Sequence, residues 1–296
     1  MRNIFKRLFG KSKEDKITTA PLSPHQIQPV IYDQKPFFEL QQLIAGCGQS
    51  LGKQREINED CLLAVTTTLA GNSGSLPFGL YIVADGMGGH QYGEVASNLA
   101  VRSIADNILR KMFPSMFSFP YEPINESLQE IMFSGITDAQ RIVKSKAPGS
   151  GTTLTAALIL GRQVTIAHVG DSRAYVISHN GNIEAITRDH SLVRRLEELG
   201  QITSAEASIH PQRNVLYRAL GQGDNLEPDI FTISFPQPGY LMLCSDGLWG
   251  VVVEQDIYKS IVEASNLQRA CQNLVTAANA AGGPDNISVI LVQLVG

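Results

Sequence analysis

The sequence predicts an α+β domain carried mostly by antiparallel sheet. Apolar residues recur at helical spacing between Val95 and Val143, and at Gly151 the period changes to short β-rich runs. Those runs follow one another through tight turns with no helix between them, which favours antiparallel pairing over a parallel βαβ array. The 296 residues are long for one domain, yet they show no internal repeat and no second domain.

Taken in order, the chain opens on a basic segment with Arg2, Lys6, Arg7, Lys11, Lys13 and Lys16. Ile4, Phe5, Leu8 and Phe9 would share one face of a short helix, which could lie on an anionic membrane surface. A plain solubilising tail fits the same residues. Pro21, Pro24, Pro29 and Pro36 then mark an extended linker, so residues 1–36 read as tail and linker and 37–296 as the domain. From Gln41 to Val65 the pattern gives two strands around a turn at Ser50 to Lys53, with a charged cluster at Arg55 to Asp60. Gly71 to Pro77 reads as a loop, and Leu80 to Ala84 as a strand ending at Asp85.

After Gly93, the spacing of Val95, Leu99, Ile104, Ile108 and Met112 predicts a helix, with Pro114 beyond its end. Ile124 to Val143 predicts a second helix, closed before Pro148-Gly149. Thr152 to Leu160, Val164 to Val169, Ala174 to Ser178 and Ile183 to Thr187 read as a β-meander with an Asn180-Gly181 hairpin. A short helix from His190 stops at Gly200, and Thr203-Ser204-Ala205-Glu206 is a capping box that opens another. The chain ends with a strand at Tyr240 to Cys244, helices near Glu254 to Ala264 and from Leu267 to Ala278, and a buried strand from Ile287 to Val295.

Composition narrows the function. Hydrophobic residues make up 43% and charged ones 18%, as in an ordinary globular protein, and a net charge of −4 gives no electrostatic reason to expect nucleic acid. No C-x-x-C pair occurs among Cys47, Cys61, Cys244 and Cys271, so they read as reduced thiols of a cytoplasmic protein. No apolar run reaches membrane-spanning length, and the N-terminus has no continuous apolar core of a secretory signal.

The chemistry-bearing residues are acids at strand ends. Asp85, Asp246 and Asp285 each stand beside Gly or Asn next to an apolar strand, and Glu59-Asp60 adds a further acidic pair. Carboxylate and carbonyl oxygens suit Mg2+ or Mn2+, whereas zinc favours closely spaced Cys and His, which are missing here. A single Asp-Gly is most often just a turn; three together with an acidic pair raise the case for a metal. Arg55 could hold a phosphate beside such a metal, or simply pair with Glu56 or Glu59 on the surface.

These residues carry a resemblance. Arg55-x-x-Asn58-Glu59-Asp60, Asp85-Gly86-Met87-Gly88-Gly89-His90, Ser150-Gly151-Thr152-Thr153, Gly170-Asp171-Ser172-Arg173, Ser245-Asp246-Gly247-Leu248-Trp249 and Gly283-Pro284-Asp285-Asn286-Ile287-Ser288 occur in this order. Together they resemble the metal-dependent protein phosphatase family (PPM or PP2C type) in its bacterial form, from about Gln49 to the C-terminus. The resemblance implies a four-layer αββα sandwich of two antiparallel sheets, with a flap over His190 to Gly221. It implies two Mn2+ or Mg2+ ions, with Asp60, Asp246 and Asp285 on one, and Glu59, Asp85 and the Gly86 carbonyl completing the other. Asp85 would bridge both, Asp171 would join Asp246 at a third, weaker metal, and Arg55 would bind phosphate.

The implied reaction is hydrolysis of phosphoserine and phosphothreonine esters in proteins by a hydroxide between the two cations, without a phosphoenzyme. The expected partners are phosphorylated proteins acted on by a Ser/Thr kinase, and the expected state is a monomer. One departure stands out. Many eukaryotic members have a histidine directly after the Asp-Gly, proposed as general acid, where this chain has Met87. A metal-bound water is then the expected proton donor. Two other classes use similar features: a metal-dependent phosphodiesterase or nuclease, which would want a basic groove, and a phosphoprotein-binding module, which would lack some of the acids.

Overall fold

Side chains alternate between the two faces of a strand, and that alternation sorts this chain into layers. The computed structural model describes residues 40–71, 74–88, 92–118, 120 and 123–296. The tail and linker of residues 1–36 lie outside the described residues, as do Gly89 and His90 of the glycine-rich motif. The strands are β1 (Gln42–Ser50), β2 (Asp60–Gly71), β3 (Gly74–Met87), β4 (Gly151–Thr152), β5 (Leu154–Leu160), β6 (Gln163–Val169), β7 (Arg173–Ser178), β8 (Ile183–Ala185), β9 (Asp229–Ser234), β10 (Gly239–Cys244) and β11 (Ile287–Val295). The helices are α1 (Gly93–Phe117), α2 (Leu128–Lys146), α3 (Leu192–Glu198), α4 (Ser204–Ile209), α5 (Asp246–Trp249), α6 (Glu254–Val262) and α7 (Leu267–Ala280).

One sheet has the order β1-β11-β10-β7-β8; the other has β2-β3-β5-β6-β9, with β4 added against β3. All their pairings are antiparallel. Tyr81, Val83, Ile166, Leu241, Leu243 and Ile290 fill the space between the sheets. The opposite face of β3, with Leu80, Ile82 and Ala84, packs on α1 and α2. Met242, Cys244, Val289 and Leu291 face α6 and α7 on the other side. The result is the four-layer αββα sandwich that the resemblance implied.

Local signals explain several helix boundaries. Ser127 and Glu130 form a reciprocal capping box at the start of α2, and Thr203 and Glu206 do the same for α4. Gly200 takes a φ of +67° after α3, a left-handed conformation that suits glycine.

Four expectations change. The strands either side of Ser50 to Lys53 do not pair; β1 joins β11 in one sheet and β2 joins β3 in the other. The loop expected over Gly71 to Pro77 is shorter, because β2 and β3 pair out to Gly71 opposite Gly74. Pro114 lies inside α1, four residues before the cap at Ser118, and not beyond its end. The meander is divided between sheets: β5 and β6 belong to one, β7 and β8 to the other. The turn Gly170-Asp171-Ser172 therefore carries the chain across the sandwich. The strand β9 had no periodic signal strong enough to predict; it is six residues lying between Pro228 and Pro236.

Candidate metal centre

The stripes facing the interior of the sandwich turn polar at one end. On β3 the inner stripe runs Tyr81, Val83, Asp85, and on β2 Leu62 is preceded by Asp60. The register sets Asp60 directly opposite Asp85. Like charges so placed repel and destabilise a sheet. From the other sheet, Leu241 and Leu243 lead to Ser245, and Ile290 is preceded by Ser288. Asp246 then opens α5 and Asp285 precedes β11. Asp171 arrives from the crossing turn. Five aspartates from distant parts of the chain thus surround one end of the inter-sheet space.

Hydrogen bonds fix this frame. Ser245 Oγ donates to Asp60 Oδ2 at 2.8 Å, and Ser245 Oγ accepts from the Ser288 backbone N–H at 3.0 Å. Gln49 Nε2 reaches Ser288 Oγ at 3.1 Å. The Asp85 backbone is bracketed by Thr153, whose Oγ1 accepts from Asp85 N at 2.9 Å and whose N–H donates to Asp85 O at 2.8 Å. Asn286 pins the acidic loop: its Oδ1 accepts from Glu59 N at 2.8 Å, and its Nδ2 donates to the carbonyls of Leu51 and Ile57. Trp249 Nε1 donates to the Asp171 carbonyl at 3.0 Å. The Arg173 guanidinium stacks 3.5 Å from the Trp249 ring centroid and forks onto Asp189 at 2.9 and 2.7 Å. Serines 245 and 288 were quoted in the motifs without a role. Their signal was legible: a polar residue at an inward position of an apolar strand.

Arg55 donates from Nη2 to Asp285 Oδ2 at 2.7 Å, so its partner is neither Glu56 nor Glu59. Four further N–H donors of a guanidinium remain after that bond. Asp285 Oδ1 accepts from the Asn286 backbone N–H at 2.9 Å, so both of its oxygens have partners. The Glu59 carboxylate lies over Gly93 at the start of α1, while its backbone carbonyl accepts from Gly86 N and Ser97 Oγ.

The electrostatics favour a cation. Burial first, and then the neighbouring Asp246 and Asp285, push the Asp60 carboxyl up to about 7 against the stabilising hydrogen bonds of Ser245 and Ser288. Burial and Asp285 push Asp246 up to about 6. Asp85 and Asp171 are raised well above the carboxylate range by burial and by the surrounding aspartates. Glu59 is raised as well, chiefly by burial. Among the described residues, two buried side-chain oxygens have no hydrogen-bond partner: Asp60 Oδ1 and Asp246 Oδ1. Orphaned, desolvated carboxylate oxygens from both sheets fit a hard cation. Among the described residues no three acidic, His or Cys side chains close into a ready-made cage. Mg2+ and Mn2+ do not demand one, because Mg2+ keeps several waters and takes one or two carboxylates.

A cavity of about 490 Å3 adjoins these acids, with Asp171, Asp246 and Trp249 on one side and Arg194, Ser204 and Asn214 on the other. The latter three belong to the segment His190 to Gly221. Its base is tied to the crossing turn by His190 N to Gly170 O at 2.7 Å and Gly170 N to His190 Nδ1 at 3.1 Å.

Metal removal gives a test with a definite sign. Carboxylates whose folded values are raised leave the metal-free protein losing stability as pH climbs from about 4 through those values. A cation reverses that loss only where the acids are ionised. Mn2+ at a hundred times its Kd should therefore raise the melting temperature of chelator-treated protein by about 5–10 °C at pH 7.5. The rise should shrink markedly at pH 5. Equal rises at both pH values in a thermal melt would contradict this electrostatic reading.

The sequence model of the family described as Protein phosphatase 2C matches residues 45–287. A serine/threonine phosphatase stp of Listeria welshimeri is 38% identical over 215 residues, covering 72% of this chain and 84% of that protein. The crystal structure of the Mycobacterium tuberculosis serine/threonine phosphatase PstP/Ppp superposes with a TM-score of 0.69 at 30% identity, covering 86% of this chain and 99% of that one. A structure of a PstP catalytic domain in complex with 2 manganese ions gives a TM-score of 0.66, also at 30% identity, covering 86% and 100%.

Proposed function

Since this chain belongs to the protein phosphatase 2C family and is a metal-dependent serine/threonine phosphatase, we propose that its acidic cluster is a binuclear Mn2+ or Mg2+ centre. The observation that carries the proposal is the pair of buried, unpartnered oxygens of Asp60 and Asp246 beside Asp85. Asp60, Asp85, Asp246 and Asp285 would hold one cation, and Glu59, Asp85 and the Gly86 carbonyl would hold the other. Asp171 and Asp246 offer a third, weaker position. When bound, the cations supply Lewis acidity, which brings the pKa of water toward neutrality and offsets charge on the phosphoryl group.

The chain's own residues do the rest. Ser245 holds one Asp60 oxygen and leaves the other pointing free. Arg55, anchored by one N–H on Asp285, presents its remaining donors to the phosphoryl oxygens of the substrate. Met87 has no titratable proton, so the leaving serine or threonine is not protonated from that position.

The substrates are phosphorylated proteins. Residues 37–296 form the catalytic domain in this reading, and 1–36 a tail that could contact a membrane surface. No helix among the described residues is long and apolar enough to cross a membrane. We place the working protein in the cytoplasm as a monomer, without nucleic acid.

The deciding assay measures Mn2+-dependent phosphate release from a phosphothreonine peptide alongside cleavage of a short oligonucleotide. Phosphate release with the oligonucleotide intact is the expected result; the reverse would point to a phosphodiesterase. Arg55→Ala should raise KM for the phosphopeptide about ten- to a hundredfold, with a smaller change in kcat, because charge-assisted hydrogen bonds contribute about 1.5–3 kcal/mol. An unchanged KM would remove Arg55 from the phosphate site.

A further inference from the structure

The inward stripe of β3 does not end at Asp85. Its next member is Met87, which pairs with Gly151 of β4 on the register that also sets Gly86 opposite Thr152. Over this strand end lies a short polar loop, Gly221 to Gly223, whose backbone is tied down with unusual care. Gln140 of α2, a buried amide, accepts from Gly221 N at 2.6 Å and donates to the Gln222 and Gly223 carbonyls at 3.1 and 3.3 Å. Lys144 adds a bond to the Gly223 carbonyl at 2.8 Å. Gly221 holds a φ of +92°, and the Thr152–Leu220 bridge locks the loop's approach.

All this order places one exposed side chain. Gln222 lies flat over Gly151, where an added Cβ would come within 3.1 Å of its Cγ and Nε2. Among the described residues its carboxamide has a single partner, the Met87 thioether, which accepts from Nε2 at 3.8 Å. Sulfur is a weak acceptor, so the Oε1 acceptor and a second N–H stay available. An exposed, pre-positioned carboxamide carries the same donor and acceptor pair as a peptide unit. The packing explains the position of the loop, but it gives no reason for a free amide at its tip.

We propose that Gln222 is a specificity-determining residue whose carboxamide hydrogen-bonds the main chain of the phosphopeptide beside the phosphorylated serine or threonine. This rests on the phosphatase reading above and deepens it. Met87 acts as the apolar rest that holds the amide in place next to the Asp85 end of the centre. The site then recognises a peptide as well as a phosphate.

The test compares two substrates under saturating Mn2+: a phosphothreonine peptide and para-nitrophenyl phosphate, which has no peptide main chain. Gln222→Ala should raise KM for the peptide by about three- to tenfold, the range of one or two neutral hydrogen bonds. Its kcat/KM for the aryl phosphate should match the wild type. Gln222→Met, which keeps the length and the contact with Met87 but lacks the amide, should behave like the alanine variant. Three outcomes would overturn the proposal: equal losses on both substrates, no loss on the peptide, or full recovery with methionine. A wild-type enzyme that released phosphate from neither substrate would instead count against the phosphatase reading itself.

Discussion

Asp246→Asn loses Mn2+-dependent release of phosphate from a phosphothreonine peptide by more than about a hundredfold, since even an outer partner of a metal ligand costs about 10–100-fold. The substitution keeps the shape of the side chain and removes one negative charge from a site where burial and Asp285 already hold the carboxyl at about 6. Two physical readings of Asp246 differ in what happens without metal. If the carboxylate were there for the fold, losing it would lower the melting temperature. If it is there for a cation, the metal-free variant is relieved of repulsion from the acids around it and melts at or above the metal-free wild type. The expected result is the second, together with loss of the Mn2+-induced rise. Full activity in the variant would sink the assignment of Asp246 as a ligand; a much lower metal-free melting point would recast it as structural.

That contrast also explains what the sequence could and could not reveal. The acids were legible because each interrupts an apolar strand pattern, and the family resemblance joins Asp60, Asp85, Asp246 and Asp285 into one site. Their meeting was not legible from spacing. Asp60 faces Asp85 in a register that β2 and β3 keep out to Gly71 opposite Gly74, and the far end of that pairing read as loop. Asp246 and Asp285 join them because the Gly170 to Ser172 turn switches sheets, while local patterning saw one continuous meander. Strand propensity reports that a segment is extended; it does not report which sheet receives it. Arg55 shows the same limit at the level of one side chain. Its nearest acids in sequence are Glu56 and Glu59, but the fold delivers Asp285 from the other end of the chain.

Gly86→Ala damages the centre without touching a single proposed carboxylate. The strand places Gly86 on the face opposite Asp85, toward the start of α1. A Cβ there would lie 2.7 Å from the Glu59 carbonyl oxygen and closer still to the Gly93 carbonyl group. Both neighbours are backbone, so no flexible side chain can swing away. The Gly86 N–H also donates to that Glu59 carbonyl at 3.0 Å, so moving the loop to relieve the overlap lengthens a hydrogen bond that locates Glu59 and Asp60. Overpacking of this kind costs about 1–3 kcal/mol, or about 2–12 °C in melting temperature for a domain of this size. The larger effect falls on the metal, because Glu59, Asp60 and the Gly86 carbonyl shift together relative to Asp85. Mn2+ titration followed by thermal melt should show binding weakened by at least about tenfold, in line with losses from disturbed outer partners. Gly71→Ala, where an added Cβ meets nothing within 4 Å, is the matched control. A Gly86→Ala protein with wild-type Mn2+ affinity would show that the Glu59 loop can yield, and that the glycine is required for packing against α1 alone.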